Sequence, residues 1–97
     1  MTASITAPQA GFLIISGSLE AVGTGDDFGC RLTVDTTTVT ASDRNTSLQG
    51  LAICSTDGMV PVTAGSHTVA LVTFGRDTAT FGNATVWVMF VPFGATG

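Results

Sequence analysis

The chain contains no lysine and no tyrosine, and among its 97 residues only three arginines carry a permanent positive charge. Proteins that bind nucleic acids need clustered cations to displace counterions from the phosphates, and polybasic segments are what attract proteins to anionic membrane surfaces. The formal net charge is −4. The composition therefore argues against nucleic-acid binding and against electrostatic attachment to a membrane.

Long hydrophobic runs are also missing. The longest apolar stretches, residues 12–15 and 86–93, fall far short of the roughly 20 residues that cross a bilayer as a helix. The opening MTASITAPQA lacks the basic and apolar regions of a secretory signal. We expect no membrane insertion, and either a mature domain cut from an exported precursor or a complete protein made in the cytoplasm, as virion proteins are.

Residues for catalysis are scarce. His67, in TAGSHTVAL, is the only histidine, and the chain has no G-x-S-x-G segment to supply a serine nucleophile. His67 is expected to be a hydrogen-bonded residue at the open end of a strand, on the same face as Val69 and Leu71. The glycine-rich GTGDDFG, residues 23–29, precedes a strand and not a helix, so it lacks the helix N-terminus of a phosphate-binding loop. We expect no enzyme and no cofactor.

Metal and sugar sites receive little support. Two cysteines and one distant histidine fall short of a zinc site. Asp26 and Asp27 are a weak candidate for calcium, which requires six or more oxygen ligands, and adjacent aspartates in a loop are usually a solvated turn. Trp87 is the one residue that could serve as a stacking platform for a glycan, although tryptophan in the middle of a strand more often lies in a core or an interface.

Cys30 and Cys54 are the only cysteines. An even pair in a small β domain favours one disulfide, typical of an oxidising compartment. Two buried, reduced thiols are the alternative.

What the chain has in abundance is β-branched residues, including seventeen threonines and ten valines. These side chains favour pleated, half-buried strands. We predict eight strands near residues 11–22, 28–35, 37–41, 46–54, 58–63, 66–74, 78–81 and 84–93, separated by turns such as residues 23–27, 55–58 and 82–83. The expected fold is all-β, a single antiparallel β-sandwich over 11–97, with 1–10 as an N-terminal arm or linker.

The last strand, in ATVWVMFVPFG, is apolar on both sides. Alternation places Val86, Val88 and Phe90 on one face and Trp87, Met89 and Val91 on the other. In residues 12–15, both faces are apolar as well. One face can serve the core, so the second needs another cover, either a neighbouring chain or a loop or arm of the same chain.

The order of APQAGFLIISGSLEAV, CRLTVD, VPVTAGSHTVALVTFG and ATVWVMFVPFG resembles that of small jelly-roll domains, the tumour-necrosis-factor/C1q-like heads of bacterial surface and phage fibre proteins. The resemblance rests on the strand pattern and on the AGSHTVAL segment. It implies a jelly-roll-like sandwich, often trimeric, used in assembly and attachment, and it transfers no active-site residue.

We therefore expect a non-catalytic structural or adhesion module that forms a homo-oligomer, with a trimer favoured, on a cell or virion surface. A cell-surface or capsid partner is compatible with this role. The expected interface residues lie on the first and last strands of the main domain, which we expect to be central in the sheet: Trp87, Met89, Val91, Phe12 and Ile14. Two alternatives stay open, a glycan- or calcium-dependent binding module using residues 23–29 and Trp87, and a filament subunit whose N-terminal strand is donated to a neighbour.

Overall fold

The computed structural model describes residues 1–40, 42–75 and 80–94. For residues 24–27, 45–51, 75, 80 and 81 it describes the backbone alone. Every element in this part of the chain is a β-strand. The strands are β1 (Thr2–Ala7), β2 (Gly11–Val34), β3 (Thr37–Thr38), β4 (Arg44–Val62), β5 (Gly65–Gly75) and β6 (Thr80–Pro92).

The long strand β2 organises the sheet. Its first half lies between β4 and β6, with Ile14 opposite Met59 on one side and Met89 on the other. Its second half pairs with β5, and β1 pairs with the far side of β5. All pairings are antiparallel. Because β2 is shared, the strands form one hydrogen-bonded network that is folded into two layers.

The fold-over is visible in contacts between residues far apart on β2. Cys54 is the register partner of Leu19, yet it forms a disulfide with Cys30, eleven positions further along β2 than Leu19. A β-carbon placed on Gly17 would contact Leu32 and Leu71. We call the first half of β2, β6 and the part of β4 that pairs with this half the first layer, and β1, β3, β5 and the second half of β2 the second layer. This arrangement confirms the predicted antiparallel β-sandwich.

The core lies between the layers. In the first half of β2 the odd-numbered residues are buried, including Leu13 and Ile15, whereas in the second half the even-numbered residues are buried, including Cys30 and Leu32. The buried side of β2 changes from odd-numbered to even-numbered residues at a register shift between Thr24 and Asp27. A β-bulge both bends a strand and re-aims its side chains, and here it turns both halves of β2 toward one core.

The strand boundaries differ from the predicted ones at three turn signals. Residues 23–27, 55–58 and 82–83 all lie within continuous strands, so pairs of predicted strands merge into β2, β4 and β6. The irregularity in β2 replaces the first predicted turn. The other two sites carry glycines that fit against a neighbour, because a β-carbon on Gly58 would meet Val39 and one on Gly82 would meet Glu20.

The segment predicted as an arm contributes a strand. Thr2–Ala7 pairs residue by residue with Gly65–Ala70 of β5, and Ala7 is buried. Ile5 is partly buried and packs against the core. Residues 8–10 then connect β1 to β2.

The disulfide predicted from the cysteine count is present. Cys30 and Cys54 join the two layers, with their α-carbons 6.3 Å apart, and both residues are buried. A disulfide in a small domain is typical of extracellular proteins. Within the described residues, no helix is long and apolar enough to span a bilayer.

Candidate functional site

The outward surface of the first layer carries a continuous group of apolar side chains, which we call the apolar face. Its members come from β2, β4, β6 and the residue after β6: Phe12, Ile14, Met59, Pro61, Trp87, Met89, Val91 and Phe93.

Strand pairing brings these residues together. Phe12 lies opposite both Pro61 and Val91, and in the next outward-facing row Ile14 lies opposite both Met59 and Met89. Side chains directly opposite one another in antiparallel strands have β-carbons about 5 Å apart, so each row is a set of contacting neighbours. Phe93 extends the first row, with its ring 4.6 Å from the ring of Phe12 in an edge-to-face arrangement.

The apolar face is substantially open to solvent. Trp87 is 49% exposed, Met89 42% and Met59 59%. The opposite side of β6 behaves differently, because Val86, Val88 and Phe90 pack against the core. Alternation along β6 thus separates a core side from an outward side, as the sequence predicted.

Polar residues interrupt the outward surface of the first layer beyond Ile14. The row after Ile14 contains Trp87, Ser16 and Asp57, and the row after that contains Thr85, Ser18 and Ser55. The surface therefore changes from apolar to hydroxyl-bearing over the four positions from Ile14 to Ser18, about 13 Å along the strand. Two further exposed apolar side chains, Ile53 and Val22, lie beyond Ser18 on the same outward side.

The outward surface of the second layer has a different composition. It is covered by a group of hydroxyl side chains, Thr2, Ser4, Thr6, Thr33, Thr38, Ser66 and Thr68, which we call the hydroxyl face. Arg31 lies toward one end of it, with its guanidinium 4.4 Å above the ring of Phe74 and its Nε 3.1 Å from an oxygen of Asp43. The contrast is informative, because threonine and serine are well solvated whereas tryptophan and methionine are usually covered.

The structure brings all five predicted interface residues onto the apolar face. Phe12 and Ile14 come from β2 and the other three from β6. The sequence pattern did not identify Met59, Pro61 or Phe93 as members of this face. The alternation of β4 put Met59 on one side of its strand, but which side joins Ile14 depends on the register between strands, which the pattern does not contain.

The predicted ligand-binding parts do not come together. Residues 23–29 belong to β2 and not to a loop, and the side chains of Asp26 and Asp27 lie outside the described residues. Trp87 is opposite Ser16, seven positions before Gly23, which is about 23 Å along the strand. Trp87 borders a shallow depression of about 510 Å³ that Ile14 and Met59 also line. Among the described residues no group of three or more histidine, cysteine, aspartate or glutamate side chains could hold a metal ion.

His67 is buried and hydrogen-bonded at the start of β5, as predicted. Its Nδ1 is 2.6 Å from Oδ2 of Asp35, and its Nε2 is 2.7 Å from the carbonyl oxygen of Thr63. In a serine-hydrolase triad, Nε2 faces the hydroxyl of the nucleophile. Here a backbone carbonyl occupies that position, so the His67–Asp35 pair does not have the geometry of a triad.

The fold and surface together define a disulfide-linked antiparallel β-sandwich with one apolar and one hydroxyl face. No family model, curated protein or solved structure matches the chain.

Proposed function

We propose that this protein is a non-catalytic structural or adhesion module that assembles into a homo-oligomer, expected to be a trimer, by burying the apolar face. We further propose that it works on a cell or virion surface. The observation that carries the proposal is the exposure of Trp87, Met89 and Met59 on one surface.

Physical chemistry supports burial of this face. Large aromatic side chains bury roughly 150–250 Å² each, and monomeric proteins seldom leave such groups clustered in water. The apolar face is also uncharged in all of its members. Depletion of charge combined with tryptophan, phenylalanine and methionine is the composition of interface cores.

The two faces also support a division of labour. The hydroxyl face is well suited to remain in water on the outside of an assembly, while the apolar face is suited to contact other copies. The disulfide supports a location outside the reducing cytosol. The trimer and the surface location follow from the resemblance to jelly-roll heads.

The test is a charge placed inside the apolar face, compared with the same charge just outside it. Met89→Lys puts an ammonium group in the row of Ile14, whereas Thr85→Lys puts it on the same strand and the same side, in the row of Ser18. Desolvating an unpaired charge at an interface costs about 2–5 kcal/mol, so we expect Met89→Lys to weaken association on the order of 100-fold. Thr85→Lys should associate like the wild type.

Sedimentation velocity over a range of micromolar concentrations measures association, and circular dichroism checks that each variant is folded. A wild-type protein that remains monomeric throughout, or a folded Met89→Lys variant that associates as well as Thr85→Lys, would contradict assembly through the apolar face.

Strand donation is the second candidate, and one observation favours it. β1 is an edge strand whose register with β5 spans six residue pairs, and only residues 8–10 connect it to β2. Exchange of such an element between copies preserves its contacts while joining the chains. This mode of assembly leaves the apolar face out of the interface, so Met89→Lys would leave it intact.

A further inference from the structure

The ring of His67 lies between two hydrogen-bond acceptors. One ring nitrogen faces the Asp35 carboxylate and the other faces the Thr63 carbonyl, both at 2.7 Å or less. A neutral imidazole has one N–H and can donate to one of them only, whereas an imidazolium has two. The observed arrangement therefore fits the imidazolium form.

The partner of His67 lies in a tight turn that needs support. Asp35 and Thr36 connect β2 to β3, and their φ angles are 50° and 73°. Two-residue hairpin turns of this left-handed kind are usually built from Asn-Gly, and a β-branched residue such as Thr36 is unfavourable there. Something outside the turn must offset the cost.

Contacts from β5 supply that support. The Asp35 carboxylate accepts a hydrogen bond from the Thr68 backbone N–H at 2.9 Å, and the Asp35 N–H donates to the Thr68 carbonyl at 2.8 Å. The other carboxylate oxygen faces His67. Through Thr63, the same imidazole also contacts the connection between β4 and β5.

The surroundings of the ring are otherwise neutral. A cavity of about 340 Å³ beside His67 is lined by aliphatic and hydroxyl side chains from the ends of β2, β3 and β4, including Val34, Thr37 and Val62. From β1, the register partner of His67 is Ile5. Asp35 is thus the one ionisable group among the described residues that line this cavity or pair with His67.

Electrostatics supports the charged form of both partners. The hydrogen bond to Asp35, followed by that to the Thr63 carbonyl, raises the pKa of His67 above its usual 6.5, although burial opposes the shift. The hydrogen bond from His67, followed by that from the Thr68 N–H, lowers the pKa of Asp35 below its usual 3.8.

We propose that His67 and Asp35 form a proton-dependent latch, which fastens the β2–β3 turn and the β4–β5 connection to the start of β5. The latch is closed while His67 is an imidazolium and Asp35 a carboxylate. When His67 loses a proton, one ring nitrogen presents a lone pair to an oxygen less than 3 Å away, and that contact opens. The hydrogen bonds of the latch are made by His67, Asp35, Thr63 and Thr68, none of which belongs to the apolar face.

The pH window follows from the two shifts. The contribution of His67 to stability is fully present below pH 6.5 and is lost as the pH rises through its raised pKa in the folded protein. The contribution of Asp35 is present above pH 3.8 and is lost as the pH falls through its lowered pKa. The latch is therefore closed in mildly acidic solution and opens on the alkaline side.

A nuclear magnetic resonance titration of the ¹⁵N-labelled protein tests the latch directly, because His67 is the only histidine and its ring signals are unambiguous. The expected midpoint lies above pH 6.5, and the backbone amide signals of Asp35, Thr36 and Thr68 should shift with the same midpoint. Asp35→Asn should move the midpoint of His67 downward, because the carboxylate is the first cause of the raised pKa.

Asp57→Asn is the matched control, since Asp57 is an exposed aspartate on β4 that is paired with Ser16 in the first layer. It should leave the His67 midpoint unchanged. A titration midpoint of the wild-type His67 ring at or below pH 6.5 overturns the proposal. Backbone amide signals of Asp35, Thr36 and Thr68 that do not shift as the ring titrates overturn it as well. An unchanged midpoint in Asp35→Asn overturns it as well, and if that variant does not fold, the wild-type ring and amide signals decide.

Discussion

Ser42 is a buried polar residue between β3 and β4, and its hydroxyl attaches this connection to β2. Its hydroxyl accepts a hydrogen bond from the Leu32 N–H at 3.1 Å, and its backbone carbonyl accepts one from the Thr56 hydroxyl. Ser42 and Leu32 are fully buried. A single hydroxyl therefore satisfies a backbone donor in the core where no strand partner does so.

Replacing Ser42 by alanine is expected to lower the free energy of unfolding by about 1–3 kcal/mol, because it leaves the buried Leu32 N–H without an acceptor. Urea unfolding followed by tryptophan fluorescence measures the change. Ser55→Ala, at an exposed position on β4, is the control and should stay within about 0.5 kcal/mol of the wild type. A loss as small as that of the control would show that Leu32 finds another acceptor.

At the same scale, the candidate site was largely predictable from the sequence. Alternation put Trp87, Met89 and Val91 on one side of the last strand and showed that one of its two apolar sides is surplus to the core, while the packing of Val86, Val88 and Phe90 against the core identifies which side that is. Met59, Pro61 and Phe93 could not be assigned in this way, because their membership depends on strand register and on the path of the chain after Pro92. The contact between His67 and Asp35 joins residues 32 positions apart, and no local pattern encodes it.

At the scale of elements, the long antiparallel pairing of β2 with β4 explains why the turns predicted at residues 23–27 and 55–58 are absent from these strands. Glycines usually mark turns, but several here allow close approach between packed backbones. Gly29 is the clearest case, because a β-carbon there would overlap the carbonyl oxygen of Arg44 and the ring of Phe74. The backbone oxygen of a paired strand cannot move aside without breaking the ladder.

Gly29→Ala is therefore expected to lower the free energy of unfolding by about 1–3 kcal/mol, the usual range for overpacking. Gly82→Ala provides the comparison, because its added carbon would meet only the flexible side chain of Glu20. We expect Gly82→Ala to be close to neutral. Thermal unfolding of the two variants measures the difference, and equal melting temperatures would contradict the close approach at Gly29.

The irregularity in β2 decides which of its side chains point into the core. Without the register shift between Thr24 and Asp27, the apolar residues of the two halves of β2 would point to opposite surfaces. The sequence shows both apolar sets, Leu13 and Ile15 with one phase and Cys30 and Leu32 with the other. A turn and a bulge both accommodate such a change of phase, and only the pairing with β4 selects the bulge.

At the scale of the whole molecule, the disulfide fastens the two layers to each other. It closes a loop of 24 positions and lies at the centre of the core, where Cys30 and Cys54 are buried. Cross-linking restricts the unfolded chain, and a loop of this length corresponds to about 3 kcal/mol.

The double variant Cys30→Ala, Cys54→Ala is expected to lose about this much stability in urea unfolding. Wild-type protein reduced in denaturant should show a similar loss, whereas a reducing agent should leave the double variant unaffected. A loss below about 1 kcal/mol would indicate that packing alone holds the layers together.

The sequence by itself determined the all-β class and the two-sided apolar character of the last strand, and it favoured a disulfide between its two cysteines. These properties depend on composition and on a period of two residues, which are local. Only the tertiary structure decided that neighbouring predicted strands merge into β2, β4 and β6, that β1 belongs to the sandwich, and that Phe12, Met59 and Trp87 share one surface. The physical reason is that register, fold-over and facing side chains arise from pairing between distant segments, which no single stretch of the chain contains.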